Sequence, residues 1–195
     1  MMRIFLVFLW FILCVGCEVE PIQPVNPPDG TSVIEMRTSF TEDWDNWRFD
    51  INGTTVTVRT SFTEDWDNWE FSYAGISGDI ETNFSEDWDN WRLTADGVSI
   101  QLRTAFSEDW DNWDIDDNYS SWHADVRTSF SEDYDNWDIL LNTGNLSAQT
   151  TFSNDFDNWD VSGTFPEELQ PPFRIALLFV PVITAVMIQQ ALITP

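Results

Sequence analysis

The chain of 195 residues carries 34 acidic against 8 basic side chains, a formal net charge of −26, and every basic residue is an arginine. A surplus of this size argues against nucleic acid and anionic lipid surfaces as partners, because both would be repelled. The two cysteines, Cys14 and Cys17, lie together near the start of the chain, so no disulfide framework holds the fold.

Residues 1–3 form a short basic start, and residues 4–15 an apolar run too short for a membrane span. The run ends in Cys14-Val15-Gly16-Cys17, which resembles the lipobox of bacterial lipoprotein precursors. The resemblance covers residues 1–17. It implies that Cys17 is lipidated, becomes the mature N-terminus and ties the protein to a membrane of the bacterial cell envelope, the outer membrane in particular. Residues 18–30 include four prolines. They read as a semi-extended tether with a reach of roughly 40 Å at about 3.1 Å per residue.

Residues 31–163 are repetitive. The stretch Phe40-Thr41-Glu42-Asp43-Trp44-Asp45-Asn46-Trp47 returns, nearly unchanged, behind Phe62, Phe84, Phe106, Phe130 and Phe152, at intervals of 22 residues with one of 24. A period of this size marks a repeat architecture. Between the copies, Asn52-Gly53, Ala74-Gly75 and Asp96-Gly97 separate alternating runs and predict two-residue hairpin turns. That register sets Trp47 against Val58, Trp69 against Ile80 and Trp91 against Leu102, apolar on apolar. The fourth hairpin takes up its two extra residues at its tip, within residues 116–121. The repeated stretch is then the return turn. With Phe40 set against Trp47, Glu42-Asp43-Trp44-Asp45 becomes a four-residue loop, and Trp44 and its equivalents fold back over the apolar face. The same register sets Arg37 against Asp50 and Arg103 against Asp116. The first strand runs over residues 33–40, and about twelve strands result.

Two assemblies bury the apolar face. A parallel β-solenoid would stack Asp43, Asp65, Asp87, Asp109, Asp133 and Asp155 in one column, and Asp45, Asp67, Asp89, Asp111, Asp135 and Asp157 in another. Carboxylates about 4.8 Å apart repel by roughly 1 to 3.5 kcal/mol per pair, which would demand bound cations. An antiparallel β-meander keeps equivalent turns about 9.6 Å apart, near the Debye length. This spacing and the hairpin turns favour a mainly β fold, a meander curled into a barrel or half-barrel. After a linker over residues 164–172 comes an apolar segment, residues 173–195, without charge from Ile175 onward. A helix apolar all round has to be buried all round. Twelve tilted strands enclose a radius of roughly 11 Å, near the distance at which a helix packs on a sheet. The segment is therefore expected to plug or cover the barrel. The competing reading is a second membrane anchor, which Pro181, Gln189 and Gln190 disfavour.

The twelve aspartates just named are also the candidate calcium ligands, since this cation takes carboxylate oxygens. Trp47, however, stands where an EF-hand would have its third oxygen ligand, and turn aspartates commonly satisfy backbone groups. Neither a metal nor another cofactor is expected. The tryptophans fall on the apolar face and read as core more than as a sugar-stacking platform. His123, the single histidine, has no nucleophile motif beside it, and no catalytic constellation emerges. The expectation is a non-enzymatic, envelope-tethered lipoprotein with a structural or binding role, its partner a protein or a glycan. The alternatives are a calcium-dependent adhesin or carbohydrate-binding module using the acidic aromatic turns, and a carrier of an apolar ligand.

Overall fold

The computed structural model describes residues 34–118 and 120–193, so the leader with Cys17 and the proline-rich tether lie outside the described residues. Twelve strands follow in order: β1 (Ile34–Thr38), β2 (Asn46–Ile51), β3 (Thr54–Thr60), β4 (Asn68–Tyr73), β5 (Ile76–Thr82), β6 (Asn90–Ala95), β7 (Val98–Thr104), β8 (Asn112–Asp117), β9 (His123–Thr128), β10 (Asn136–Leu141), β11 (Gly144–Thr150) and β12 (Asn158–Gly163). Each pairs with its neighbours in the chain, and β12 pairs with β1, with Ile34 opposite Val161 and Met36 opposite Trp159. Every pair is antiparallel, so the molecule is a closed meander barrel and not a solenoid. Closure leaves no unpaired sheet edge.

The hairpins form as the turn residues require. Asn52-Gly53, Ala74-Gly75 and Asp96-Gly97 have positive φ at both positions, 52° and 80°, 51° and 86°, and 49° and 78°. This is the backbone of a type I′ turn, whose twist matches that of the strands it joins. Trp47 faces Val58, Trp69 faces Ile80 and Trp91 faces Leu102 as the alternation predicts. Most inward residues are buried, with Ile76 and Gly78 of β5 and Val98 of β7 only partly so. Outward ones carry nearly all the charge, Asp117 of β8 being an inward exception, the reverse of a barrel that spans lipid.

The return turns are longer than the sequence suggested. Thr38, not Phe40, lies opposite Trp47, and Ser39 N–H donates to the Asn46 carbonyl at 2.8 Å. The loop is thus residues 40–45, six residues instead of four. The reason is two β-turns in series sharing Asp43: its N–H donates to the Phe40 carbonyl (2.9 Å), and its carbonyl accepts from Asn46 N–H (3.1 Å). The first strand accordingly stops at Thr38. A shift of two residues preserves the inward and outward faces, but it moves the charge partners. Arg37 lies opposite Arg48 and pairs instead with Glu35 (3.1 Å). Arg103 lies opposite Asp114, yet its guanidinium still reaches Asp116 diagonally at 3.1 Å.

The lumen is filled. A ring of six tryptophans, Trp47, Trp69, Trp91, Trp113, Trp137 and Trp159, is fully buried. Helix α1 (Pro171–Gln189) runs among them and is buried from Pro172 to Met187 except at Arg174. The Phe179 ring lies edge-on to both Trp69 and Trp91, at 5.6 and 5.7 Å. The apolar C-terminal segment is therefore the plug of the barrel. Its length and composition would also suit a membrane span, but the barrel supplies the apolar surroundings on every side. Prolines at its first two positions start α1, where a missing N–H costs nothing. It ends on a Schellman motif: Leu192 N–H donates to the Met187 carbonyl (2.9 Å) and Ala191 N–H to that of Ile188 (3.1 Å), with Ala191 at φ 55°.

Candidate functional site

All six return turns lie at one end of the barrel. The hairpin tips, the start of β1 at Ile34 and the end of β12 at Gly163 lie at the other. The turns form a continuous ring because the second aspartate of each reaches the next. Asp45 accepts from Glu64 N–H at 2.9 Å, Asp67 from Glu86 at 3.2 Å, Asp89 from Glu108 at 2.9 Å, Asp111 from Glu132 at 2.9 Å and Asp135 from Asn154 at 2.9 Å. Asp157 closes the circle on Glu42 N–H at 3.1 Å. The threonine ending a strand donates to the same carboxylate, Thr60 to Asp45 at 2.7 Å, with Thr82, Thr104 and Thr150 repeating the contact. Ser85, Ser107, Ser131 and Ser153 add a further donor in their turns.

The first aspartate works within its own turn. Asn46 Nδ2 donates to both oxygens of Asp43, and Asn68, Asn136 and Asn158 do the same to Asp65, Asp133 and Asp155. In the third turn, beside Asp87, the Asn90 side chain accepts from Asn83 and Gln101 instead. Partial burial, then the charge of Asp111, raises the Asp109 carboxyl above its ordinary range. At Asp45, Asp67, Asp89 and Asp135 a cation would have to displace donors that hold neighbouring turns together, whereas Asp111 and Asp157 each keep one buried oxygen, Oδ1, with no hydrogen bond among the described residues. The first aromatic packs on the core edge, and its carbonyl accepts from the indole N–H of the second: Trp44 from Trp47 (3.0 Å), Phe156 from Trp159 (2.8 Å) and likewise in the other four. Burial, and next the Asp111 carboxylate, holds the Tyr134 hydroxyl well above its usual range.

Two side chains of the signature have no such use. Phe40, Phe62, Phe84, Phe106, Phe130 and Phe152, expected against the core, are 72–77% exposed. Their position just past the last paired residue puts them outside the barrel wall, although their parity matches the inward face. The glutamates Glu42, Glu64, Glu86, Glu108 and Glu132 are exposed and make no ion pair among the described residues. Each sits at a φ of 59° to 61°, a conformation that costs an L-residue roughly 1 kcal/mol or more relative to glycine. The sixth copy carries Asn154 there, a residue that tolerates it. The invariance of the phenylalanines was the one signal in the sequence. Some core positions vary between copies, Phe49 for Phe71, Leu93, Ile115 or Ile139, while these six are as invariant as the buried ring from Trp47 to Trp159, yet lie outside. Between the third and fourth turns the rim is indented, and Leu192 and Ile193 of the segment after α1 seal the floor beside Trp88 and Trp110.

His123 belongs to a separate group on the outer wall. Asp114 lies directly opposite Asp125, and Asp116 opposite His123. His123 Nδ1 is 2.9 Å from Asp116, its Nε2 is 3.3 Å from Asp125, and Arg103 also meets Asp116. The hydrogen bond to Asp116, reinforced by the charges of Asp116 and Asp125 and opposed by partial burial, raises the His123 pKa. Asp114, His123 and Asp125 present ligand atoms within 4.8 Å of one another. The imidazole stands between the facing carboxylates, and Arg103 reaches Asp114 from the other side at 3.9 Å. The sequence gave no hint of these partners of His123, which only the β8–β9 register brings together. No family model, curated protein or solved structure matches this chain.

Proposed function

We propose that the protein is a non-catalytic binding module of the bacterial cell envelope, anchored by a lipid on Cys17 and presenting the six-turn rim as a docking face with six equivalent sites. The observation that carries the reading is the rim itself, where an identical exposed phenylalanine recurs in every copy without a role in packing. Exposed aromatics repeated in register are what binding surfaces retain, whereas a monomer gains nothing from them. Filling of the lumen by α1 favours an outer docking face over a carried apolar ligand. The proline-rich tether gives the barrel freedom to reach a partner away from the bilayer.

The anchoring half of the reading is tested by growing cells with labelled palmitate. The wild-type chain is expected to take up label and to fractionate with membranes, and Cys17→Ser to lose both. An unlabelled wild-type chain would overturn it.

A further inference from the structure

We infer that the rim docks an arginine-rich protein face. The inference rests on the rim being a docking surface and adds the chemistry of what it takes. Two independent features point the same way. Six phenylalanines stand exposed, and five glutamates are kept two residues after them at a backbone conformation that glycine or asparagine would adopt more easily. A residue held against its own backbone preference, with no ion pair to show for it, is retained for its side chain. Five of the six turns therefore offer an aromatic face beside a carboxylate that makes no ion pair among the described residues, and the sixth, with Asn154, offers the aromatic alone. Lipid tails match the first alone and a simple cation the second alone. A guanidinium matches both, since it stacks on aromatic rings and hydrogen-bonds carboxylates in a fork.

The spacing fits a protein surface. Equivalent turns lie two strands apart, about 9.6 Å, so a partner needs arginines at roughly that interval. A second copy of this chain is a poor occupant, because two rims would meet with like charge in a molecule of net charge −26. A bilayer is also disfavoured. The glutamates would have to enter the headgroup layer with the phenylalanines.

The test uses the lipid-bearing full chain in phosphatidylcholine nanodiscs, with fluorescent nona-arginine and nona-lysine peptides as probes at physiological salt. The wild-type chain is expected to bind nona-arginine at least tenfold more tightly than nona-lysine. Changing all six phenylalanines to serine should erase that preference and weaken nona-arginine at least tenfold, with the circular dichroism spectrum unchanged. Changing the five glutamates to glutamine should weaken both peptides by a similar factor. Neutralising five wall carboxylates away from the rim (Glu70, Asp79, Asp96, Asp125 and Asp138) should change binding less than threefold. Equal losses from rim and wall would show general polyanion binding and overturn the inference, as would unchanged binding by the serine variant. Capture of labelled phosphatidylcholine vesicles through the phenylalanines would make the rim a membrane surface and overturn it too. None of these outcomes touches the palmitate result, so a failed anchor and a failed partner chemistry are told apart.

Discussion

Asp89 shows what one signature residue does. It accepts from Thr104 Oγ1 (2.9 Å), Ser107 Oγ (3.0 Å) and Glu108 N–H (2.9 Å), tying the third turn to the fourth. Asp89→Ala leaves these donors without their acceptor and is expected to cost about 1–3 kcal/mol, a fall in Tm of about 2–4 °C per kcal/mol for a chain of this size. Glu86→Gly should do the opposite. It removes an exposed side chain and relieves φ 60°, so a chemical-denaturation midpoint should rise by the equivalent of about 1 kcal/mol. His123 makes a pH-dependent contribution. Its pKa is raised in the folded state, so the stability it adds is fully present below the unfolded value of about 6.5 and is lost as pH rises through the folded value. The groups facing it are Asp114, Asp116 and Asp125, with Arg103 beside them. Urea titrations should therefore show His123→Gln less stable than wild type at pH 5 and closer to it at pH 9. Solvent screening of this exposed group keeps the difference below about 1 kcal/mol.

At the level of elements, the strands and α1 fit by volume. Gly78 in β5 lies between Phe71 and Ala95, and a Cβ there would come within 2.6 Å of the Phe71 ring and closer still to the Thr94 carbonyl. Gly78→Ala should cost about 1–3 kcal/mol through overpacking, read as a lowered denaturation midpoint. In α1 the Thr184 hydroxyl is buried without a hydrogen-bond partner among the described residues. Thr184→Val keeps the shape and removes the stranded hydroxyl, so it should raise stability by about 1 kcal/mol. A lower melting temperature in that variant would mean that the hydroxyl is satisfied after all.

For the whole molecule, barrel and plug are one folding unit, because neither the inner face of the strands nor the surface of α1 can be left wet. A chain ending at Gly163 should lose cooperative unfolding and bind the dye ANS, while keeping β-type circular dichroism. The charge of −26 acts against compactness throughout. Raising sodium chloride from about 0.02 to 0.5 M should raise Tm by shortening the Debye length from about 20 Å to a few ångströms.

Features that depend on neighbours along the chain could be read from the residues alone. Asn52-Gly53 and Asp96-Gly97 could only be tight hairpins, the alternation from Trp47 to Val58 set the inward face, and the uncharged run after Ile175 demanded burial. The candidate site was half legible: the six acidic turns stood out, but the exposure of Phe40 and its equivalents did not, and the charge partners of His123 were hidden. The reason is that a strand's faces repeat every two residues, so a slip of two leaves the core pattern intact while it moves the strand's end. Whether Phe40 lies inside or past that end depends on how two successive turns close. The ring from Asp45 round to Asp157 is complete only once twelve strands have met: five of its links join successive repeats, but Asp157 reaches Glu42 N–H only when β12 pairs with β1.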